Sequence, residues 1–85
     1  MDMSQQPLIE YPCQWEYKII GLDAVLMRSA VAAVLESLAY TIEPSHQSSG
    51  GKYVSLTVQL TVTDEAFRHR IFEELKSQPA IRMVL

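Results

Sequence analysis

The stretch Ser48-Ser49-Gly50-Gly51-Lys52-Tyr53-Val54-Ser55-Leu56 carries the residue types that hold phosphate: hydroxyls, paired glycines and a lysine. A phosphate-binding loop of the G-x-x-x-x-G-K-[ST] type works because its amides and a following helix N-terminus surround the anion, while the hydroxyl after the lysine reaches Mg²⁺. Those parts are missing here. His46, not glycine, stands five residues before Gly51, Tyr53 follows the lysine, and a strand pattern follows the loop. Two glycines between two strands instead predict a hairpin turn at Gly50–Gly51, where glycine accepts positive φ.

The remaining reactive side chains are few. Cys13, His46 and a carboxylate have the chemistry of metal ligands but none of the ligand spacings, so neither a metal nor a cofactor is expected. Cys13 reads as a small apolar residue near a strand start. His69 follows Glu65 by four residues, the spacing of a solvated helical pair. Glu73 and Glu74 are adjacent and point to different sides of a helix, which does not suit a shared proton. No Ser-His-Asp or Cys-His spacing is present, and the expectation is a protein that is not an enzyme.

With 85 residues the chain makes one domain with one two-layer core and no room for a deep enclosed site. Ten acidic residues against seven scattered basic ones give a net charge of −3, which disfavours nucleic acid and anionic membrane surfaces. A single cysteine permits no internal disulfide. The opening residues lack the basic and apolar regions of a secretory signal, and the longest wholly apolar run, Ala30 to Leu35, is too short to cross a bilayer. The expected location is cytoplasmic.

Residues 1–10 read as a flexible N-terminal tail, and residues 11–85 as the folded domain. Trp15, Tyr17 and Ile19 alternate with Glu16 and Lys18 in a strand that ends at Gly21, where positive φ would ease a tight turn. Asp23 to Ala39 predict a helix capped by Asp23, with Met27, Val31, Val34, Leu35 and Leu38 as its apolar stripe. Tyr40 onward is a weaker strand, and Pro44 assigns it to a sheet edge. Val54 to Val62 alternate strictly and give the clearest strand. Asp64 to Gln78 form a second helix, capped by Thr63, with Phe67, Ile71 and Leu75 inward, and stopped before Pro79. Residues 80–85 make a last short strand.

The order βαββαβ predicts an α+β ferredoxin-like two-layer sandwich, an antiparallel sheet of order 4-1-3-2 with both helices on one face. The open face should carry Glu16, Lys18, Ile20, Ser55, Thr57, Gln59, Arg82 and Val84. It has no central aromatic ring, so base stacking on it is not expected. It reads equally as a solvated face or as a platform for a dimer or ligand, and both edge strands could extend a sheet onto another chain.

Several stretches resemble the YbeD-like family of small bacterial proteins: Tyr11-Pro12, Tyr17-Lys18-Ile19-Ile20-Gly21, Ser49 to Ser55, and the ending Ile81-Arg82-Met83-Val84-Leu85. The resemblance runs from about Leu8 to the end, with tyrosine at position 11 where members more often have phenylalanine. It implies an ACT-like fold and a non-enzymatic regulatory or binding module, with a lipoate-related role proposed for the family. ACT-like modules bind ligands near the β1–α1 turn, here Ile20 to Asp23. Lys18 and Arg82 are the cations nearest that turn for a carboxylate, while Asp23 suits an amine. The ligand-binding expectation is therefore Lys18, Gly21, Asp23 and Arg82, for a small metabolite or with a partner protein, in a chain able to form a homodimer. The alternative is a protein–protein adaptor that uses a sheet edge or face and no small ligand. Acylphosphatase shares the topology, but it needs an anion-holding arginine loop where this chain has Gly21-Leu22-Asp23.

Overall fold

Alternation in residues 13–21 and 54–62 pairs the two best strands side by side, and everything else is built around that pair. The computed structural model describes residues 9–45 and 51–85. Its elements are β1 (Cys13–Gly21), α1 (Ala24–Leu35), β2 (Tyr40–Pro44), β3 (Val54–Val62), α2 (Glu65–Lys76) and β4 (Met83–Val84). The antiparallel sheet has the order β2-β3-β1-β4, the expected order read from its other side. β1 and β3 pair along their full length, from Cys13 opposite Val62 to Gly21 opposite Val54. Directly opposed residues share a face. Tyr17, Ile19, Leu56, Val58, Leu60 and Val62 therefore line one buried layer against Met27, Val31, Leu35, Ile71 and Leu75 of the helices. Among the described residues no helix is long and apolar enough to cross a membrane.

The helix caps are partly as expected. Asp23 caps α1, its Oδ1 accepting from the Leu26 amide at 3.0 Å. For α2 the cap is Asp64, not Thr63: Asp64 is extended and its Oδ1 accepts from the Phe67 amide at 2.7 Å. Asp64 stands three residues before that amide, the reach an N-cap carboxylate needs, and Thr63 is one residue too early. α1 also ends sooner than its apolar pattern. Glu36 turns to φ 47, its amide bonding to the Ala32 carbonyl, and the chain leaves for β2. Leu38 then follows no helical period and is exposed rather than part of the inner stripe.

The last strand is shorter than expected and flips two residues. Ile19 opposes Val84 and Ile20 opposes Met83, so Val84 joins the core and Met83 takes the open face. Val84 thus leaves the open face on which the alternation of residues 80–85 had placed it. Arg82 lies ahead of β4, its amide bonded to the Ile20 carbonyl, and stands beside the β1–α1 turn. The strand continues as an exchange of backbone bonds between Leu85 and Lys18. Pro44 does lie on the edge strand, opposite Leu56. Gly51 has φ 79, while Gly50 and His46 lie outside the described residues.

Gly21 is required for space and not for positive φ. A Cβ there would fall 2.5 Å from the Ala80 carbonyl oxygen and 2.8 Å from Met27 Sδ. Backbone occupies the place of a side chain, so the approach of β4 to β1 depends on this glycine. Tyr17 makes a second long-range tie: its hydroxyl donates to the Arg68 carbonyl at 2.6 Å, fastening β1 to α2. Burial pushes the Tyr17 phenol up to about 12, against a smaller downward pull from the Arg68 charge and with a small rise from Tyr11.

Two outcomes are expected. Gly21→Ala lowers stability by about 1–3 kcal/mol, the usual range for overpacking, read as a lower denaturant midpoint. Tyr17 holds its proton more tightly when folded than in the unfolded chain, where a phenol ionises near 10. Its contribution is complete below pH 10 and is lost as pH rises from about 10 to 12. Tyr17→Phe removes that alkaline loss and, at neutral pH, costs about 1 kcal/mol for the missing hydrogen bond. Denaturant titrations across the alkaline range read both effects.

Candidate functional site

Three of the depressions among the described residues bear on function, and the expected ligand residues divide between two of them. Lys18 lies on the open sheet face with Glu16, Glu43, Thr57 and Gln59, around a polar depression of about 370 Å³. Two carboxylates share it with one cation, which gives it no clear preference for an anion. At its rim Ser45 and Thr57 bond hydroxyl to hydroxyl.

Arg82 and Asp23 line the second, a small depression of about 170 Å³ with Leu22, Leu26, Pro79 and Ala80. Gly21 is buried behind it, closed off by the Ala80 carbonyl and the Met27 side chain. The Asp23 carboxylate is engaged as the α1 cap. The structure therefore brings Asp23 and Arg82 together at the β1–α1 turn, leaves Gly21 buried and outside the lining of that depression, and sets Lys18 apart in another.

The third depression was not foreseen from the sequence. It holds about 360 Å³ between β1 and α2, lined by Trp15, Tyr17, Arg68, His69, Phe72 and Glu73, with Leu85 at one side. Alternation brings Trp15 and Tyr17 to the helix side of β1. The α-helical period brings Arg68 and Phe72 over them, four residues apart on α2. The Arg68 guanidinium carbon sits 4.3 Å from the centroid of the Trp15 ring, a close cation–π contact. Its side chain is only 18% exposed.

The polar edge of this depression is incompletely paired. One Arg68 amino nitrogen, Nη2, is 3.9 Å from Glu65 Oε2 and 3.4 Å from His69 Nε2. His69 in turn lies 3.6 Å from Glu65, the helical pair that the spacing predicts. Arg68 Nε is buried and has no hydrogen-bond partner among the described residues. A buried N–H left without an acceptor is unusual, because its desolvation is uncompensated. Aromatic rings, a leucine and one unspent donor together suit a small molecule with an apolar body and an acceptor oxygen. The sequence does show Trp15 on the inner face of its strand, but nothing in it places Arg68 across the ring, since that meeting depends on how α2 lies on β1.

Next to this depression, one side of β1 is only partly paired among the described residues. β4 pairs with β1 only at Ile19 and Ile20, and Leu85 bonds at Lys18. Among the described residues nothing pairs with that side of Cys13 to Tyr17. No three His, Cys, Asp or Glu side chains come together as a metal site among the described residues.

A family model described as "Protein of unknown function (DUF493)" matches residues 6–85. A UPF0250 protein of Hahella chejuensis is 32% identical over 85 residues, covering 95% of this chain and 93% of its own. The solution structure of HP0495 from Helicobacter pylori superimposes with a TM-score of 0.78 at 24% identity, over 96% of this chain and 90% of that one. The ACT domain from GTP pyrophosphokinase of Chlorobium tepidum gives 0.60 at 12% identity, over 85% and 94%. At such identities the two structures speak for the fold, which is α+β and ACT-like. The match along nearly all of its length makes the chain a member of the DUF493 family, the YbeD-like proteins that its hairpin and its closing Arg82-Met83-Val84-Leu85 resemble.

Proposed function

We propose that the chain is a non-enzymatic regulatory module that acts by binding, and that its ligand is a small amphipathic carboxylate seated between β1 and α2. The observation that carries this reading is the Arg68 guanidinium, stacked on Trp15 beside Phe72 in the lining of the depression, with its Nε–H unpaired among the described residues. Small-ligand sites combine a mostly apolar wall with a few placed polar groups. An alkyl chain would lie along Trp15, Phe72 and Leu85, and its carboxylate would accept from Arg68. Lipoate, the ligand that the YbeD-like resemblance suggests, has this build. The ACT-like fold supports a regulatory role: the Chlorobium tepidum neighbour is a domain of a GTP pyrophosphokinase.

The β1–α1 turn is the competing seat, with Arg82 as its cation and Gly21 and Asp23 beside it. Asp23 adds a carboxylate there, as Glu73 does beside Arg68, so it is the aromatic wall of Trp15 and Phe72 that favours Arg68 for an amphipathic carboxylate. Lys18, between Glu16 and Glu43, is the weakest of the three cations for that purpose. A second reading, an adaptor for a partner protein, draws on the partly paired side of β1, where an extended segment could add a strand and place a side chain by Trp15.

Trp15 is the chain's one tryptophan, so its fluorescence reports the depression directly. Titration with octanoate is expected to give a saturable change that octylamine does not. Arg68→Lys keeps the charge and removes the Nε–H, and should weaken binding about tenfold, the effect of losing one charge-assisted hydrogen bond. Arg82→Ala and Lys18→Ala should leave it unchanged. A response lost in Arg82→Ala and kept in Arg68→Lys would move the ligand to the turn. No saturable response to octanoate, other straight-chain carboxylates or lipoate would overturn the small-ligand reading and leave the adaptor.

A further inference from the structure

The two helices share one layer but differ in what they show to water. α2 is outwardly charged, and its Arg68, His69 and Arg70 are all within ion-pair range of glutamates on the same helix. α1 is outwardly apolar. Val25 is 71% exposed and Leu26 57%, with Leu22 exposed just before the helix. Ala32 and Ala33 are exposed beside them. A helix of a small domain normally turns charged residues to solvent and apolar ones to the core. In α1 the exposed side carries one charge, Arg28, and a second, Glu36, stands at its C-cap. Neither has an ion-pair partner among the described residues.

The positions of these two charges identify the occupant. Arg28 and Glu36 are each four residues from Ala32, one on either side. If a second α1 lies antiparallel across the first with Ala32 at the two-fold axis, Arg28 of each copy comes opposite Glu36 of the other. Two-fold contacts are self-complementary in this way: what residue i finds on j, j finds on i. The same pairing brings each Arg28 to the negative end of the other helix, where α1 has no basic residue of its own. Ala32 at the crossing lets the two backbones approach closely.

We propose that the exposed face of α1 is a docking surface for a second copy of this chain, antiparallel about Ala32 and fixed in register by two Arg28–Glu36 pairs. The surface is new to the sheet-edge and sheet-face readings of the sequence, and it is independent of the ligand site, none of whose lining residues belongs to α1. One helix of 12 residues per copy makes a small interface, at the low end of the range for specific complexes. Association is therefore weak and concentration-dependent.

Sedimentation equilibrium of the full chain from micromolar to millimolar concentration tests this. The wild type is expected to pass from the mass of one chain to that of two. Ala32→Glu sets two carboxylates against each other at the axis and abolishes the dimer. Position 32 is exposed and glutamate is a good helix former, so circular dichroism and the melting temperature should hold. Arg28→Glu weakens the dimer at least tenfold, and Arg28→Glu with Glu36→Arg restores it. A chain that stays monomeric at millimolar concentration overturns the proposal. So does a dimer indifferent to Ala32→Glu, or a double reversal that fails to rescue the single one.

Discussion

The approach of the Ala80 carbonyl to Gly21 sets the geometry of one end of the molecule. Backbone lies where any other residue would have its Cβ, so the chain leaving α2 comes into van der Waals contact with the end of β1. From there Arg82 bonds to Ile20, Val84 pairs with Ile19, and Leu85 exchanges hydrogen bonds with Lys18. Ile81 and Val84 close the core on that side. Leu85 then stands beside Trp15 and Tyr17 as a wall of the depression. A single atom's worth of space at position 21 thus joins the packing of the core to the shape of the surface.

The second organising feature is the strand register. Full-length pairing of β1 with β3 sorts every side chain to one layer or the other. It turns Tyr17 inward, where its hydroxyl finds the Arg68 carbonyl, and it sets Trp15 just short of the interior, where its ring meets the Arg68 guanidinium. Arg68 is held by its main chain on one tyrosine and by its side chain over the neighbouring tryptophan. The orientation of α2 and the unpaired Nε–H are consequences of the same two residues on one strand.

Much of this was legible in the residues alone. Strict alternation in Val54–Val62 and in Trp15–Ile19 gave the two inner strands and their buried faces. Pro44, unable to donate to a ladder, placed its strand at the edge. The βαββαβ order did the rest, because short right-handed connections leave few ways to arrange it. What escaped was decided by single atoms or by chain reversal. Thr63 and Asp64 are both good caps, and only the path into α2 selects the second. The apolar period runs on to Leu38, but Glu36 breaks the helix before it. Alternation in residues 80–85 slipped by one because the segment before β4 is not extended. In the predicted topology, the β1–α1 turn has two cations close by. Lys18 and Arg82 prove to lie around different depressions, and the aromatic depression depends on a helix-to-strand crossing that no local pattern encodes.

β1 is central by topology, yet among the described residues its stretch from Cys13 to Tyr17 has the exposure of a border strand on one side. Bare main-chain amides of this kind invite indiscriminate stacking into fibrils. The residues of that stretch that point to solvent are Gln14 and Glu16, which offer hydration and a negative charge instead of a greasy surface. A carboxylate at an uncovered rim is a recognised safeguard against self-templated growth. Gln14 and Glu16 therefore guard this flank, wherever the described residues leave it uncovered, against seeding the chain's own aggregation.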